Sequence, residues 1–382
     1  MSDSAVSRPC RVPAAVLIAV ALVVPLASGV AGAHGKDESH EATVSVFATG
    51  LNNPRGLKFG PDGYLYVAEG GVGGDTPPLD PNDPECNTPD AVGPYLGSTT
   101  GSRISQIDSH GNVSTYIDGL PSSQTNANLG SLVSGVADIA FVGREMYAIL
   151  AGAGCSHGVP SVPNSVIRIH HSDNSYEIVA DLGAFQRANP VKNSEDEDFE
   201  PDGTWYSMLS VRGNLYAVEP NHGEIDRITT GGVISRVIDV SATQGHVVPT
   251  VIDYRGVFYI SNLSTFPQDE GAASIWKVTL GGHIRKIATG FNMVLGIVVD
   301  RKGDIYVLQS SQAPAPQPDT GSIVRLSNGG KKREVIATDM LSVPGGMTMG
   351  PDGNLYVSNI SFGAPPIGLG QILKIDLHDH HQ

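Results

Sequence analysis

A polar side chain recurs three residues after a tyrosine, at the end of a short apolar run, five times along this 382-residue chain. The residues concerned are Glu69, Glu219, Asn262, Gln309 and Asn359; the one exception is Leu150. Carboxylate and amide oxygens, in sets of six to eight, are the ligands that a hard cation such as Ca²⁺ takes. If the fold gathers these side chains, the pattern predicts a divalent-cation site, with calcium as the first candidate. The alternative is that each side chain hydrogen-bonds loop backbone between neighbouring repeats.

The run from Glu219 to Asp226 departs most from this repeat, because it holds four ionisable groups within eight residues. His222 could serve there as a general base or as a metal ligand beside Glu219, so the predicted metal set is Glu69, Glu219 and His222. His246 is a candidate second imidazole. Alternatively, both rings are hydrogen-bonded wall residues, the commoner role of a histidine. The sequence contains no match to a metalloprotease helix, a phosphate loop or a nucleophile elbow. Whether the protein is an enzyme is therefore not decided by a known motif.

A further set of candidates stands at the starts of predicted inner strands. These residues could line a central channel and bind a ligand together with Asn262 and Asn359: Asn53, Arg55, Asp138 and Trp205. Arg55 could equally form an ion pair with Glu69. The acidic run 195–202 lacks the spacing of an EF-hand loop, and we expect it to be a solvated insertion.

The elements that must position these residues are copies of one strand–turn–strand unit, clearest at Pro61-Asp62-Gly63-Tyr64-Leu65-Tyr66-Val67. Its tyrosines recur at positions 66, 147, 216, 259, 306 and 356, so the last three intervals are 43, 47 and 50 residues. Such a period is close to one propeller blade, and the two longer early intervals indicate blades with insertions. The repeats predict an all-β fold, a six-bladed β-propeller of four-stranded blades.

The two ends of the repeat region complement each other. The first predicted strand, at residues 43–50, has no preceding partner, and the last repeat stops after a third strand at 371–377. We therefore expect the N-terminal strand to complete the last blade and close the ring. The long insertions fall on connections that antiparallel alternation puts on one face. They span 70–101, 119–134, 151–164, 181–204, 262–273, 309–321 and 359–370.

The first 33 residues have the pattern of a cleaved signal peptide. Arg8 and Arg11 precede an apolar run over residues 14–27, and Ala31-Gly32-Ala33 supplies small residues for cleavage. The run is too short for a comfortable membrane anchor. We expect a secreted or periplasmic protein with a polar stub at 34–42, a propeller at 43–377 and a flexible tail at 378–382.

The cysteines predict a disulfide, and the net charge limits the classes of binding partner. Cys86 and Cys155 remain after cleavage, lie in loops of adjacent blades on one face, and are predicted to form a disulfide. The formal net charge of −15 and the lack of a basic cluster longer than 331–333 argue against nucleic acid and anionic membranes. The expected partner is a small molecule or a protein on the loop-rich face of a monomer without a membrane span.

Three stretches carry a family resemblance. The opening at residues 48–57, the repeated Pro-Asp-Gly-x-Leu-Tyr-Val strand and the entry Val248-Pro249-Thr250 resemble the ScyD/ScyE family, which is akin to NHL-type propellers. The likeness spans most of residues 43–377. That family was first noted in gene clusters for the sunscreen pigment scytonemin, and the resemblance implies an exported six-bladed propeller without assigning catalytic residues. The repeats also distantly resemble sugar-lactonase propellers, which hold a divalent ion in the channel.

Three classes of function follow from these observations. The leading hypothesis is a module that binds a small molecule or partner on the loop-rich face, since propellers present rigid loop platforms. The second is an enzyme, either a divalent-metal lactonase or lyase, or an accessory in oxidative maturation of an aromatic secondary metabolite. The third is a structural envelope protein. Metal content after gentle purification separates the enzyme from the other two.

Overall fold

A computed structural model describes residues 41–80, 86–88, 93–127, 132–194, 200–265, 267–313, 317–362 and 368–377. The predicted signal peptide, most of the stub and the tail at 378–382 lie outside these residues. Within them the chain forms six antiparallel sheets, one for each predicted blade. The predicted six-bladed, four-stranded propeller is thus confirmed.

The blades follow the chain in order, after a first strand β1 (Thr43–Leu51) that belongs to the last blade. Blade 1 contains β2 (Pro54–Phe59), β3 (Leu65–Glu69), β4 (Leu96–Ile107), β5 (Val113–Gln124) and the short added β6 (Val133–Ser134). Blade 2 contains β7 (Val136–Val142), β8 (Glu145–Leu150), β9 (Ser165–His170) and β10 (Ser175–Asp181). Blade 3 contains β11 (Ser207–Val211), β12 (Asn214–Glu219), β13 (Glu224–Thr229) and β14 (Ile234–Asp239).

The second half of the ring is more regular. Blade 4 contains β15 (Pro249–Tyr254), β16 (Phe258–Asn262), β17 (Ala273–Val278) and β18 (Ile284–Phe291). Blade 5 contains β19 (Val294–Val299), β20 (Ile305–Gln309), β21 (Ser322–Ser327) and β22 (Lys332–Ala337). Blade 6 contains β23 (Gly346–Met349), β24 (Leu355–Asn359) and β25 (Gly370–Asp376). The described helices are short: α1 (Leu182–Ala188), α2 (Ser241–Gln244) and 3₁₀ turns at His171–Asp173 and Asn328–Gly330.

The N-terminal strand closes the ring as predicted. β1 pairs antiparallel with β25, from Thr43 opposite Asp376 to Leu51 opposite Gly370, and so forms the outer edge of blade 6. The inner strands β2, β7, β11, β15, β19 and β23 contact one another in that order, and β23 returns to β2. Blades 3 and 6 therefore face each other across the central axis.

The repeated turn explains the repeated sequence. Gly63 has a φ of +88°, a left-handed conformation that favours glycine, and its N–H bonds to the carbonyl of Gly60 at 3.0 Å. The Tyr66 hydroxyl donates to the turn carboxylate of Asp62 at 2.7 Å, and blade 6 repeats this contact between its tyrosine and turn aspartate at 3.1 Å. The tyrosine thus fixes the turn that precedes its own strand.

Apolar side chains are buried between blades, not within one central core. Six clusters of buried residues are present in the described structure, and each contains side chains of two neighbouring blades. Leu51 of β1, for example, is fully buried with Leu57 of blade 1 and Ile372 of blade 6. Each blade is consequently held by its neighbours, and the axis stays free for a cavity.

One further prediction is confirmed on the loop-rich face. Cys86 and Cys155 form a disulfide, with their Cα atoms 5.0 Å apart, that joins the long loops of blades 1 and 2. Among the described residues, none of the helices has the length and apolar character needed to cross a membrane.

Candidate functional site

The loop-rich face has a cup at the mouth of the central channel, with a volume of about 290 Å³. Its walls come from segments that enter inner strands or leave second strands, so blades 3 to 6 and the loop before blade 2 contribute to it. None of the described lining residues carries a formal charge, and most are apolar: Leu132, Thr204, Tyr206, Pro220, Asn221, Val248, Thr250, Leu263, Gln268, Met293, Leu295, Ser310, Val343 and Phe362. Such a cavity fits a small, mainly apolar molecule.

Tyr206 forms the floor of the cup. Its side chain extends from blade 3 across the axis, and its hydroxyl donates to the carbonyl of Gly345, at the entry to blade 6, at 2.7 Å. The same residue lines a second cavity of about 30 Å³ that lies deeper in the channel. Burial raises the pKa of the Tyr206 phenol to about 12, so the hydroxyl stays protonated at neutral pH. The cup is closed below by a neutral hydrogen-bonding group.

Arg55 lies beside this floor and is almost completely buried, with 4% of its surface exposed. Its guanidinium carbon is 3.6 Å from the centre of the Phe362 ring, and Nη2 donates to the carbonyl of Val133. The sequence left open an ion pair with Glu69, but Glu69 pairs with Arg103 at 2.8 Å. Burial lowers the pKa of Arg55 to about 10, opposed by the neighbouring Tyr206, so the side chain remains cationic at neutral pH.

The five polar side chains of the predicted ring clamp backbone in their own blades. Each binds a peptide N–H or carbonyl in the segment that leads into the inner strand of that blade. The pairs are Glu69 with Asn52 (2.6 Å), Glu219 with Thr204 (2.9 Å), Asn262 with Val247 (2.7 Å), Gln309 with Asn292 (2.7 Å) and Asn359 with Ser342 (2.8 Å). In place of the expected single oxygen ring, the structure has five separate loop clamps.

These clamps hold strained backbone at the cup. In four blades the residue after the clamped one has a left-handed φ: Asn53 (52°), Val248 (54°), Met293 (42°) and Val343 (43°). A valine with positive φ is a genuine outlier, and such strain is retained where surrounding structure enforces it. Three of the four residues present apolar side chains to the cup. The repeated polar position therefore shapes an apolar site without contacting its contents.

The predicted metal ligands do not fit a shared cation as they are placed. The carboxylate of Glu69 accepts from Arg103 and from the backbone of Asn52, and that of Glu219 accepts from Thr204 and from the N–H of His222 at 2.6 Å. No group of three or more His, Cys, Asp or Glu in the described residues could hold a metal ion. Metal binding by these residues stays a prediction, to be tested by calcium titration of the Glu219→Gln variant.

The remaining predicted residues are spread around the channel. His222 is buried, its Nε2 lies 3.2 Å from the carbonyl of Glu200, and the cup is lined by its neighbours Pro220 and Asn221 instead. His246 is half-buried in the segment before β15. Asn53 donates to a loop carbonyl at 2.9 Å.

Asp138 and Trp205 belong to the walls beneath the cup. Asp138 lines the deeper cavity, where it accepts from the N–H of Met208 at 2.8 Å and links blade 2 to blade 3. Burial raises the pKa of this carboxyl. Trp205 is fully buried, and its indole N–H lies 3.4 Å from Asp226. Their contacts are those of structural links between strands.

Two carboxylates beside Trp205 have strongly perturbed titration. Glu224 and Asp226 are fully buried on β13, and Glu224 forms an ion pair with Arg236. Burial, together with repulsion from Asp226 and Glu219, raises the pKa of Glu224 to about 9, and burial with repulsion from Glu219 raises that of Asp226 to about 7. The density of charge noted in the sequence is therefore an internal feature of blade 3.

A buried polar array joins the loops of blades 1, 2 and 3. His157 Nδ1 lies 2.8 Å from Ser123 Oγ, its Nε2 lies 3.6 Å from Glu200, and Tyr95 stacks on its ring and donates to Glu200 at 2.8 Å. The order Ser–His–Glu matches that of hydrolase triads, but Ser123 and His157 are completely buried, which leaves no route for a substrate carbonyl. The array ties the loops together.

The same array corrects the expectation for the acidic insertion. Glu200 and Asp202 are buried, not solvated, because Asp202 accepts from the N–H and hydroxyl of Ser156 at 2.8 and 2.6 Å and pairs with Arg187. Residues 195–199 of that run lie outside the described structure. Tyr206 and Phe362, the main aromatic residues of the cup, belong to no recognisable sequence motif. The one signal for Tyr206 was its position directly after the predicted channel residue Trp205, at the entry to the inner strand β11.

Comparison with known proteins gives a fold relationship. The chain matches no family model and no curated protein. A glucose dehydrogenase-type oxidoreductase structure from Thermus thermophilus is 17% identical, with 88% of this chain and 100% of that chain covered and a TM-score of 0.53. A gluconolactonase from Xanthomonas campestris is 10% identical, with 88% and 90% covered and the same TM-score. The chain thus shares its propeller fold with gluconolactonase-like proteins.

Proposed function

We propose that this protein is a binding module whose cup holds a small, mainly apolar molecule. The observation that carries the proposal is the uncharged cavity of about 290 Å³, closed below by Tyr206 and walled chiefly by blades 3 to 6. Rigid apolar pockets with a few polar groups are the usual form of small-molecule sites. The strain at Val248, Met293 and Val343 supports a functional role, since strained backbone clusters at ligand sites.

The test is a titration with N-phenylnaphthylamine, a neutral aromatic probe that fluoresces in apolar sites. We expect saturable binding by the wild type and a strong loss in Leu263→Trp, because the larger side chain fills the cup. Leu79→Trp is the matched control, since Leu79 is 79% exposed and does not line the cup. Equal binding by all three proteins would rule out the cup as the site.

A lactonase-like activity is the second candidate, favoured by the shared fold with a protein named as a gluconolactonase. Its test is the hydrolysis of small lactones, measured with added divalent cations and with a chelator. Turnover that is lost in Leu263→Trp and retained in Leu79→Trp would assign the activity to the cup. Membership of the ScyD/ScyE family would make an aromatic metabolite the first ligand to try.

We also propose that the mature chain is exported after cleavage near residue 33. The support is the sequence pattern of residues 1–33 and the disulfide, a bond that persists in oxidising compartments. N-terminal sequencing of protein recovered from outside the cytoplasm tests this directly. A mature chain that still begins at Met1 would contradict it.

A further inference from the structure

Arg55, a buried cation beside the cup that is not itself one of its lining residues, has no anionic partner in the described structure. The ion pairs of the described residues do not include Arg55, and its Nη1 is buried without a hydrogen-bond partner there. An unpaired charge removed from water is costly, and proteins normally pair it. The carbonyl of Val133 and the face of the Phe362 ring compensate only part of that cost.

Arg55 adjoins the cup through two of the residues that line it. Phe362 and Tyr206 both line the cup, the guanidinium stacks on Phe362, and Tyr206 is the polar neighbour of Arg55. Among the described residues that line the cup none is acidic, so this part of the wall neither competes for the guanidinium nor repels an anion. Asp138, an acidic group on the inner strand of blade 2, lines the cavity below Tyr206 and accepts bonds from Met208 and Ser207.

We propose that the ligand of the cup is an apolar acid, whose anionic oxygen group is received by the Arg55 guanidinium. This inference rests on the proposed function of the cup and adds the chemical class of its ligand. The apolar body would contact the walls, and the acid would supply the partner that the guanidinium lacks. Hydrogen bonds between an arginine and an anionic oxygen are among the stronger ones in proteins. Because the protein has a formal net charge of −15, most of its surface repels anions, and an anion would bind only where a local cation such as Arg55 receives it.

The experiment compares two probes with the same apolar skeleton, anilinonaphthalene sulfonate and neutral N-phenylnaphthylamine. We expect the wild type to bind the sulfonate tighter by about tenfold or more, as one charge-assisted pair allows. Arg55→Gln should remove this preference while leaving the neutral probe nearly unaffected. Arg55→Lys should restore part of it, because the charge returns without the planar fork.

Lys58→Gln is the matched control, because it removes one positive charge from the deeper cavity on the other side of Tyr206. It should leave the preference unchanged. Loss of preference in both variants would point to a general electrostatic effect and would overturn the assignment to Arg55.

The outcomes separate this inference from the function on which it rests. If the wild type binds both probes equally and Leu263→Trp weakens both, the cup is a ligand site but the acid is not required. If Leu263→Trp affects neither probe, the cup itself is not the site. The wild-type comparison decides against the acid even if Arg55→Gln fails to fold.

Discussion

Asn262 shows how one side chain can support a site that it does not touch. Its amide accepts from Ser274 at 2.8 Å and donates to Val247 at 2.7 Å, next to the left-handed Val248 in the cup wall. We expect Asn262→Ala to lower the free energy of unfolding by about 1–3 kcal/mol, since buried backbone groups lose their partners. Urea denaturation measures this.

The control for this prediction is Asn112→Ala, in an exposed turn, where we expect a change within about 0.5 kcal/mol. Probe affinity should also fall in Asn262→Ala, because Val248 is released from its enforced conformation. An unchanged stability and affinity would mean that the clamp is dispensable.

The carboxyls of Glu224 and Asp226 predict a stability that declines as the pH rises. Burial raises the pKa of Glu224 to about 9 and that of Asp226 to about 7, so between about pH 4 and 9 the folded state binds more protons than the unfolded state. The free energy of unfolding should then fall with increasing pH, by at most about 1.4 kcal/mol per pH unit for each extra proton. Urea titrations at pH 6, 7.5 and 9 measure the slope.

Asp226→Asn should flatten this slope and raise stability at pH 9, because a neutral amide replaces a charge that is costly to bury. A wild-type curve that stays flat over the same range would mean that both carboxyls are already ionised in the folded protein. That result would also mean that Arg236 offsets more of the cost of burying the two negative charges than its single ion pair with Glu224 indicates.

Sequence reasoning at this scale found positions more reliably than roles. The recurrence of Glu69, Asn262 and Asn359 predicted that these side chains share a task, and the structure gives them one. Whether a polar group binds backbone or ligand depends on distances of a few ångströms between segments far apart in sequence. Arg55 illustrates this, because it has no acidic partner among the described residues, where Glu69 pairs with Arg103 instead.

Among the elements, β1 has the largest predicted effect. It covers an edge of β25 along residues 370–376 and buries Leu51 and Ala48 between blades 6 and 1. Deleting residues 43–50 should expose that edge, so we expect aggregation or a broad, non-cooperative melt. Calorimetry and light scattering measure the two effects, and a melting profile equal to that of the full chain would refute the prediction.

Closure and blade number could be predicted from sequence because each blade repeats a local signal. The Pro-Asp-Gly turn and its tyrosine act within a few residues, as the bond between Asp62 and Tyr66 shows. The cup could not be predicted in this way. It needs Tyr206 to cross the axis to Gly345, 139 residues later, and it needs three apolar residues with a left-handed backbone that their residue types disfavour.

For the whole molecule, the disulfide is the main covalent restraint. Cys86 and Cys155 are 69 residues apart, and closing a loop of that size stabilises the folded state by about 4 kcal/mol in the chain-entropy model. We therefore expect the double variant Cys86→Ser/Cys155→Ser to unfold at lower denaturant concentration. The wild type treated with a reductant is the matched comparison and should shift to a similar midpoint.

Equal midpoints for oxidised wild type and double variant would show that the loops of blades 1 and 2 are held by the buried array alone. Free-thiol titration of the unreduced, denatured wild type is the necessary companion measurement. Two reactive thiols there would mean that the bond does not form in the isolated protein.

The pairing of β1 with β25 also sets an order in time. Thr43 faces Asp376, so a strand made early in synthesis waits for one of the last segments of the chain. At 5–20 residues per second, the delay is about 17–67 s. During that interval the partner strand β25 has not yet been synthesised, so β1 is unpaired. The sequence of β1, Thr43–Leu51, contains neither a charged residue nor proline, so it lacks two of the usual features that discourage pairing with another chain during that time.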